Sequence, residues 1–94
     1  MNSPKERMDQ MTQLMVITMD ECGELIQACS KVLRSRSRLG HIPEETRIEL
    51  QKEMADVRCM MDLMYKFELL DHDETSRGIL AKREKLKTWS TLID

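Results

Sequence analysis

Residues 8–32 read MDQMTQLMVITMDECGELIQACSKV, and within them apolar or small residues recur at Met8, Met11, Met15, Thr18, Cys22, Leu25, Cys29 and Val32. Steps of three and four residues are the period of an amphipathic helix, not the strict alternation of a half-buried strand. Pro4 marks where such a helix can begin, with Ser3 as N-cap and Glu6 at the third helical position. The spacing predicts one long helix over about residues 5–34. Gly23 is its one internal weak point, at about 1 kcal/mol relative to Ala.

Outward from this helix the pattern breaks and resumes. The segment SRSRLGHIP (35–43) reads as a connection. A second helix is predicted from just after Pro43 to about Leu70, with Leu50, Met54, Val57, Met61 and Met64 as its stripe. Asp71-His-Asp-Glu-Thr-Ser is turn and cap chemistry. A shorter third helix is expected from about Thr75 to Trp89, with Ile79 and Leu86 facing inward and a basic AKREKLK run. The expected fold is all-α. It is an antiparallel helical hairpin plus a short third helix, completed to a four-helix-type bundle by oligomerisation.

Composition supports that class. The 40% apolar content is carried by Met, Leu, Ile and Val, with one residue each of Phe, Tyr and Trp. That suits helix-on-helix packing better than a sheet. The 94 residues make a single domain, 1–94, that would be marginal as an isolated monomer. Disulfides are a poor remedy. The three cysteines are an odd number, and Cys22 and Cys29 sit about 10 Å apart along one helix. Charges of both signs are interleaved around a net −2, which is no footprint for nucleic acid. The N-terminus carries no signal-like apolar segment, and no run reaches the ~18 residues of a membrane span. A cytoplasmic protein with reduced thiols is expected. The compact length would fit a phage-encoded chain acting in its host's cytoplasm.

A second stripe on each long helix carries the chemistry. It reads Leu14, Ile17, Glu21, Glu24, Ala28 on the first helix, and Glu49, Glu53, Asp56, Met60, Leu63, Phe67, Leu70 on the second. Carboxylates that continue an apolar stripe are candidates for burial, which is costly unless they are paired or bound to metal. Glu21/Glu24 and Glu53/Asp56 are both i,i+3 pairs on one face of their helix. In an antiparallel arrangement each pair lies roughly 15 Å from the connection, so the four acids would converge in one layer. Such like charges stay ionised together only with bound cations. An all-oxygen site of this kind suits Mg²⁺, with Mn²⁺ as a substitute.

The segments DECGE (20–24) and EMAD (53–56), with twenty-eight residues between them, resemble the EExxE…ExxD signature of the all-α nucleoside triphosphate pyrophosphohydrolases. The MazG-like branch is the most similar, through ECGELIQA on the first helix and LQKEMADVRCMMDLM on the second. The resemblance covers about two-thirds of the chain. It implies magnesium-dependent hydrolysis of a (deoxy)nucleoside triphosphate between the α and β phosphates, giving a nucleoside monophosphate and pyrophosphate. It also implies a homodimer or homotetramer with sites at subunit interfaces. Glu21, Glu24, Glu53 and Asp56 would be the metal ligands, and Glu24 or Glu53 would help deprotonate the attacking water.

This chain departs from the signature at Asp20, which stands where the first Glu is usual. Asp20 and Glu49 are assigned supporting positions outside the ligand set. Lys82 and Lys85 on the third helix are candidate phosphate contacts, and Trp89 a candidate base-stacking surface; Tyr65 is a second stacking candidate. The cluster Arg34, Arg36, Arg38 and His41 is expected to lie far from the acids, as solvated loop or subunit contact. Two other readings remain at this point. One is a phosphoribosyl-ATP pyrophosphohydrolase; the other is a non-catalytic helical dimerisation module whose acids pair with lysines.

Overall fold

The structure, a computed structural model, describes the backbone of residues 4–94 and side chains from Asp9 onward. The expected N-cap at Ser3 and the side chains of Glu6 and Met8 lie outside the described residues. The described residues form three helices: α1 (Pro4–Ser35), α2 (Glu44–Lys66) and α3 (His72–Trp89). No strand occurs among the described residues. Among the described residues no helix is long and apolar enough to cross a membrane.

The connection between α1 and α2 is a tight turn. Gly40 donates to the Ser37 carbonyl (3.0 Å) and Ser37 to the His41 carbonyl (2.8 Å). Gly40 has φ +83°, a conformation that a side chain would strain. α2 opens on Glu44 and Glu45, which favour the positive end of its dipole.

The chain divides into two compact units, Met1–Leu63 and Met64–Asp94. In the first, the buried apolar side chains are Leu14, Ala28 and Met60. All three belong to the acid-bearing stripes. This places the acid-bearing stripes at the contact between α1 and α2. On the stripe that reads as core, Met11, Met15, Cys22 and Cys29 of α1 are exposed, as are Met54 and Met61 of α2. Only Thr18, Leu25 and Val32, with Leu50, Val57 and Met64, are half-buried. Hydrophobicity ranks the two stripes correctly, but the single chain joins its helices through the more polar one.

α2 ends four residues short of the expected Leu70, and the reason is local. Leu69 donates to the Met64 carbonyl (2.9 Å) and Glu68 to the Tyr65 carbonyl (3.0 Å), while Glu68 takes φ +63°. This is the Schellman arrangement that satisfies the last carbonyls of a helix, with Glu in the place usually held by Gly. A left-handed Glu costs about 1–2 kcal/mol. Glu68→Gly is therefore expected to raise stability by about 0.5–1 kcal/mol, read as a higher urea midpoint at unchanged slope. A loss of stability would mean that the Glu68 side chain, not the backbone turn, holds this end.

In the second unit α3 begins three residues earlier than expected. Asp71 is its N-cap, and its Oδ1 accepts from the Glu74 amide at 2.8 Å. Thr75 lies inside the helix instead of opening it, and its hydroxyl meets the Tyr65 hydroxyl at 2.6 Å. The rings of Tyr65 and His72 stack at 4.1 Å between centroids. Ile79, expected to face inward, is exposed. Within its own unit, one helix and a short tail leave little apolar surface to cover it.

Candidate metal centre

α1 presents Glu21 and Glu24 one turn apart, and α2 presents Glu53 and Asp56 in the same way. One carboxylate oxygen from each residue lies within 4.8 Å of all the others. The four expected ligands therefore meet, as the matched distances from the connection require. Lys31 Nζ and Glu49 Oε2, nearer that connection, pair at 2.8 Å.

Burial and charge act together on this group. Glu21, Glu53 and Asp56 are half-buried and Glu24 is exposed. One oxygen each of Glu21 and Glu53, Oε2 in both cases, is sealed from solvent and accepts no hydrogen bond. Desolvation is the largest influence raising the Glu21 carboxyl above its ordinary value, followed by the charges of Glu24, Asp56 and Glu53 and by a hydrogen bond with Asp56. Glu53 is raised by desolvation, then by a hydrogen bond with Glu24 and by the charges of Glu24 and Asp56; neighbouring Lys52 opposes the shift. A buried carboxylate oxygen without a donor is an expensive feature unless something positive is meant to meet it.

The group fits a small hard cation. Oxygens on opposite sides of a magnesium ion stand about 4.2 Å apart, twice the ~2.1 Å bond. Adjacent oxygens on such an ion stand closer still, about 3 Å, so the four carboxylates would draw together on binding one. With no thiolate or imidazole in the set, zinc and copper are poorly served.

Beside the acids lies a cavity of about 340 Å³ whose lining includes Glu24, Gln27, Lys31, Arg34, Lys52 and Glu53. Three cations and two of the four acids share this one space. Sequence reasoning assigned neither Lys31 nor Lys52 a role, and it placed Arg34 far from the acids. A signal was available. Glu24, Gln27, Lys31 and Arg34 follow one another in steps of three and four along one side of α1. Lys31 already has Glu49 as partner, but both side chains are about half exposed, and such a pair holds by only ~0–1 kcal/mol.

Asp20 is exposed, and Glu49 is engaged by Lys31 instead of touching the four acids. Lys82, Lys85 and Trp89 are exposed on α3. The Tyr65 ring is taken up by His72. No protein-family model matches this chain, and neither a curated protein nor a solved structure is significantly similar to it.

Proposed function

We propose that this chain is a magnesium-dependent nucleoside triphosphate pyrophosphohydrolase acting in the cytoplasm as a homodimer or homotetramer. In this reading α1 and α2 form an antiparallel hairpin, and a (deoxy)nucleoside triphosphate is cut between its α and β phosphates. The observation that carries it is the pair of sealed, donorless oxygens on Glu21 and Glu53 within a four-carboxylate group, next to a cation-lined cavity. The acidic spacing that resembles the MazG-like signature adds to it.

Glu21, Glu24, Glu53 and Asp56 hold the ion, and Mn²⁺ can replace Mg²⁺. When bound, the ion neutralises phosphate oxygens and lowers the pKa of a nucleophilic water. Glu24 or Glu53 accepts the proton that the water gives up as its oxygen attacks the α-phosphorus. The bond from that phosphorus to the bridging oxygen breaks, and the electron pair leaves with pyrophosphate. Lys31, Arg34 and Lys52 supply positive charge on the cavity side of the acids, where the phosphate chain would lie. Lys82 and Lys85 remain proposed phosphate contacts, and Trp89 a proposed stacking surface for the base.

The test is pyrophosphate release from a panel of dNTPs and NTPs, with Mg²⁺ and with EDTA. Magnesium-dependent release matched by nucleoside monophosphate is the expected result, and the rate ranking names the preferred base and sugar. No release from any member, with melting unchanged by the metal, would replace this reading by that of a helical dimerisation module.

A further inference from the structure

Lys31 and Glu49 form the one ion pair that joins α1 to α2 among the described residues, Nζ to Oε2 at 2.8 Å. The other three, Glu44–Arg47, Glu74–Arg77 and Glu84–Lys87, each close one turn of a single helix. Both partners of the cross-helix pair line the cavity beside the four acids, together with Glu24, Arg34, Lys52 and Glu53. Three carboxylates and three cations share its wall, so the wall by itself carries no net charge. Glu24 and Glu53 belong to the four-carboxylate group, and Glu49 does not. Arg34 and Lys52 have no ion-pair partner among the described residues, so of the three cations only Lys31 is already engaged.

We infer that Glu49 is a tethered competitor of the substrate's phosphate chain. It holds Lys31 until a phosphate oxygen takes its place, and it takes Lys31 back as the cleaved chain leaves. Chemistry, strength and position carry this. A carboxylate oxygen and a phosphate oxygen are both anionic acceptors for the same ammonium. The two side chains are 50% and 45% exposed, and a pair so open to water holds weakly enough to be exchanged. Glu49 stands one turn before Glu53 on α2, so the carboxylate that Lys31 holds is beside the acid group and inside the same cavity. A phosphate chain entering there meets two cations that are open and a third whose place is taken.

The inference rests on the phosphate-binding half of the proposed function, not on its hydrolytic step. Calorimetric titration of the full chain with inorganic tripolyphosphate, in excess Mg²⁺, tests it without nucleotide. Glu49→Gln should bind about two- to sixfold more tightly than the parent, because Lys31 is no longer shared with an internal anion. Lys31→Gln should bind about tenfold more weakly, having lost a charge-assisted contact. In the Lys31→Gln background the further change Glu49→Gln should have no effect, since the competition runs through Lys31. Asp62→Asn removes the same charge from an exposed position of α2 about 20 Å along the helix, and should leave binding unchanged.

The sign of the Glu49→Gln effect separates this role from a structural one. A residue that merely tied α1 to α2 would, once removed, loosen the cavity and weaken binding. Weaker or equal binding by Glu49→Gln would therefore overturn the inference, as would an equal gain in the Lys31→Gln background or in Asp62→Asn. So would a parent and a Glu49→Gln variant that both ignore tripolyphosphate. Binding that follows the expected pattern, with no pyrophosphate released from any nucleotide, would keep the inference and overturn the reaction; release without the pattern would do the reverse.

Discussion

Glu53→Gln is expected to lower magnesium-dependent pyrophosphate release at least about a hundredfold while leaving the helical fold in place. The amide nearly matches the carboxylate in shape, and Glu53 is only half-buried, so little packing changes. The charge is another matter. Metal-assisted stabilisation of a phosphoryl transition state is worth several kcal/mol, and each 1.36 kcal/mol is a factor of about ten in rate. The same variant should be no less stable than its parent without metal at neutral pH. It removes one of the charges that Glu21 and Glu24 oppose, and its amide can donate to Glu24. Loss of activity together with an unchanged or raised metal-free melting point is therefore the expected signature. Full activity would move the site elsewhere, and collapse of the fold would make Glu53 a structural residue.

The response to magnesium should be nearly as large and should depend on pH. In the metal-free fold Glu21 and Glu53 bind their protons more tightly than in the unfolded chain, because both carboxyls are raised above 4.5. Their contribution to stability is thus complete below about pH 4.5 and is lost as pH rises through the raised values. Metal binding has the opposite sign, since it needs the ionised carboxylates and expels their protons. Melting curves with EDTA should fall across this window, and the increment given by Mg²⁺ should grow across it. At a hundredfold excess over its dissociation constant, the ion adds about 2.7 kcal/mol, or roughly 10–20 °C for a domain of this size. Parallel pH profiles with and without magnesium would contradict the assignment of these four residues as ligands.

What could be read from the sequence, and what could not, follows from the range of the forces involved. Convergence of Glu21, Glu24, Glu53 and Asp56 required only helical periodicity and equal distances from a short connection, both properties of the backbone. The end of α2 was not legible, because Glu68 adopts a left-handed conformation that is usually announced by Gly. The start of α3 was legible and was missed. Asp71 and Glu74, three residues apart, form a cap signature that places the first turn at His72. The exposure of the more apolar stripes was not legible, for a deeper reason. Apolar content ranks the stripes, but it does not say whether a partner helix comes from the same chain. Lys31 and Lys52 became visible only with the cavity that they line, which depends on how α1 and α2 face each other.

The four-carboxylate layer also bears on how such a sequence persists. In the metal-free chain the charges of Glu24 and Asp56 oppose ionisation of both Glu21 and Glu53, and these two keep an oxygen where neither water nor a donor reaches it. Replacing either with its amide would relieve that repulsion, so random mutation under a demand for foldability alone would erode the layer. In the metal-free chain the layer is a cost to folding that only a bound cation would offset.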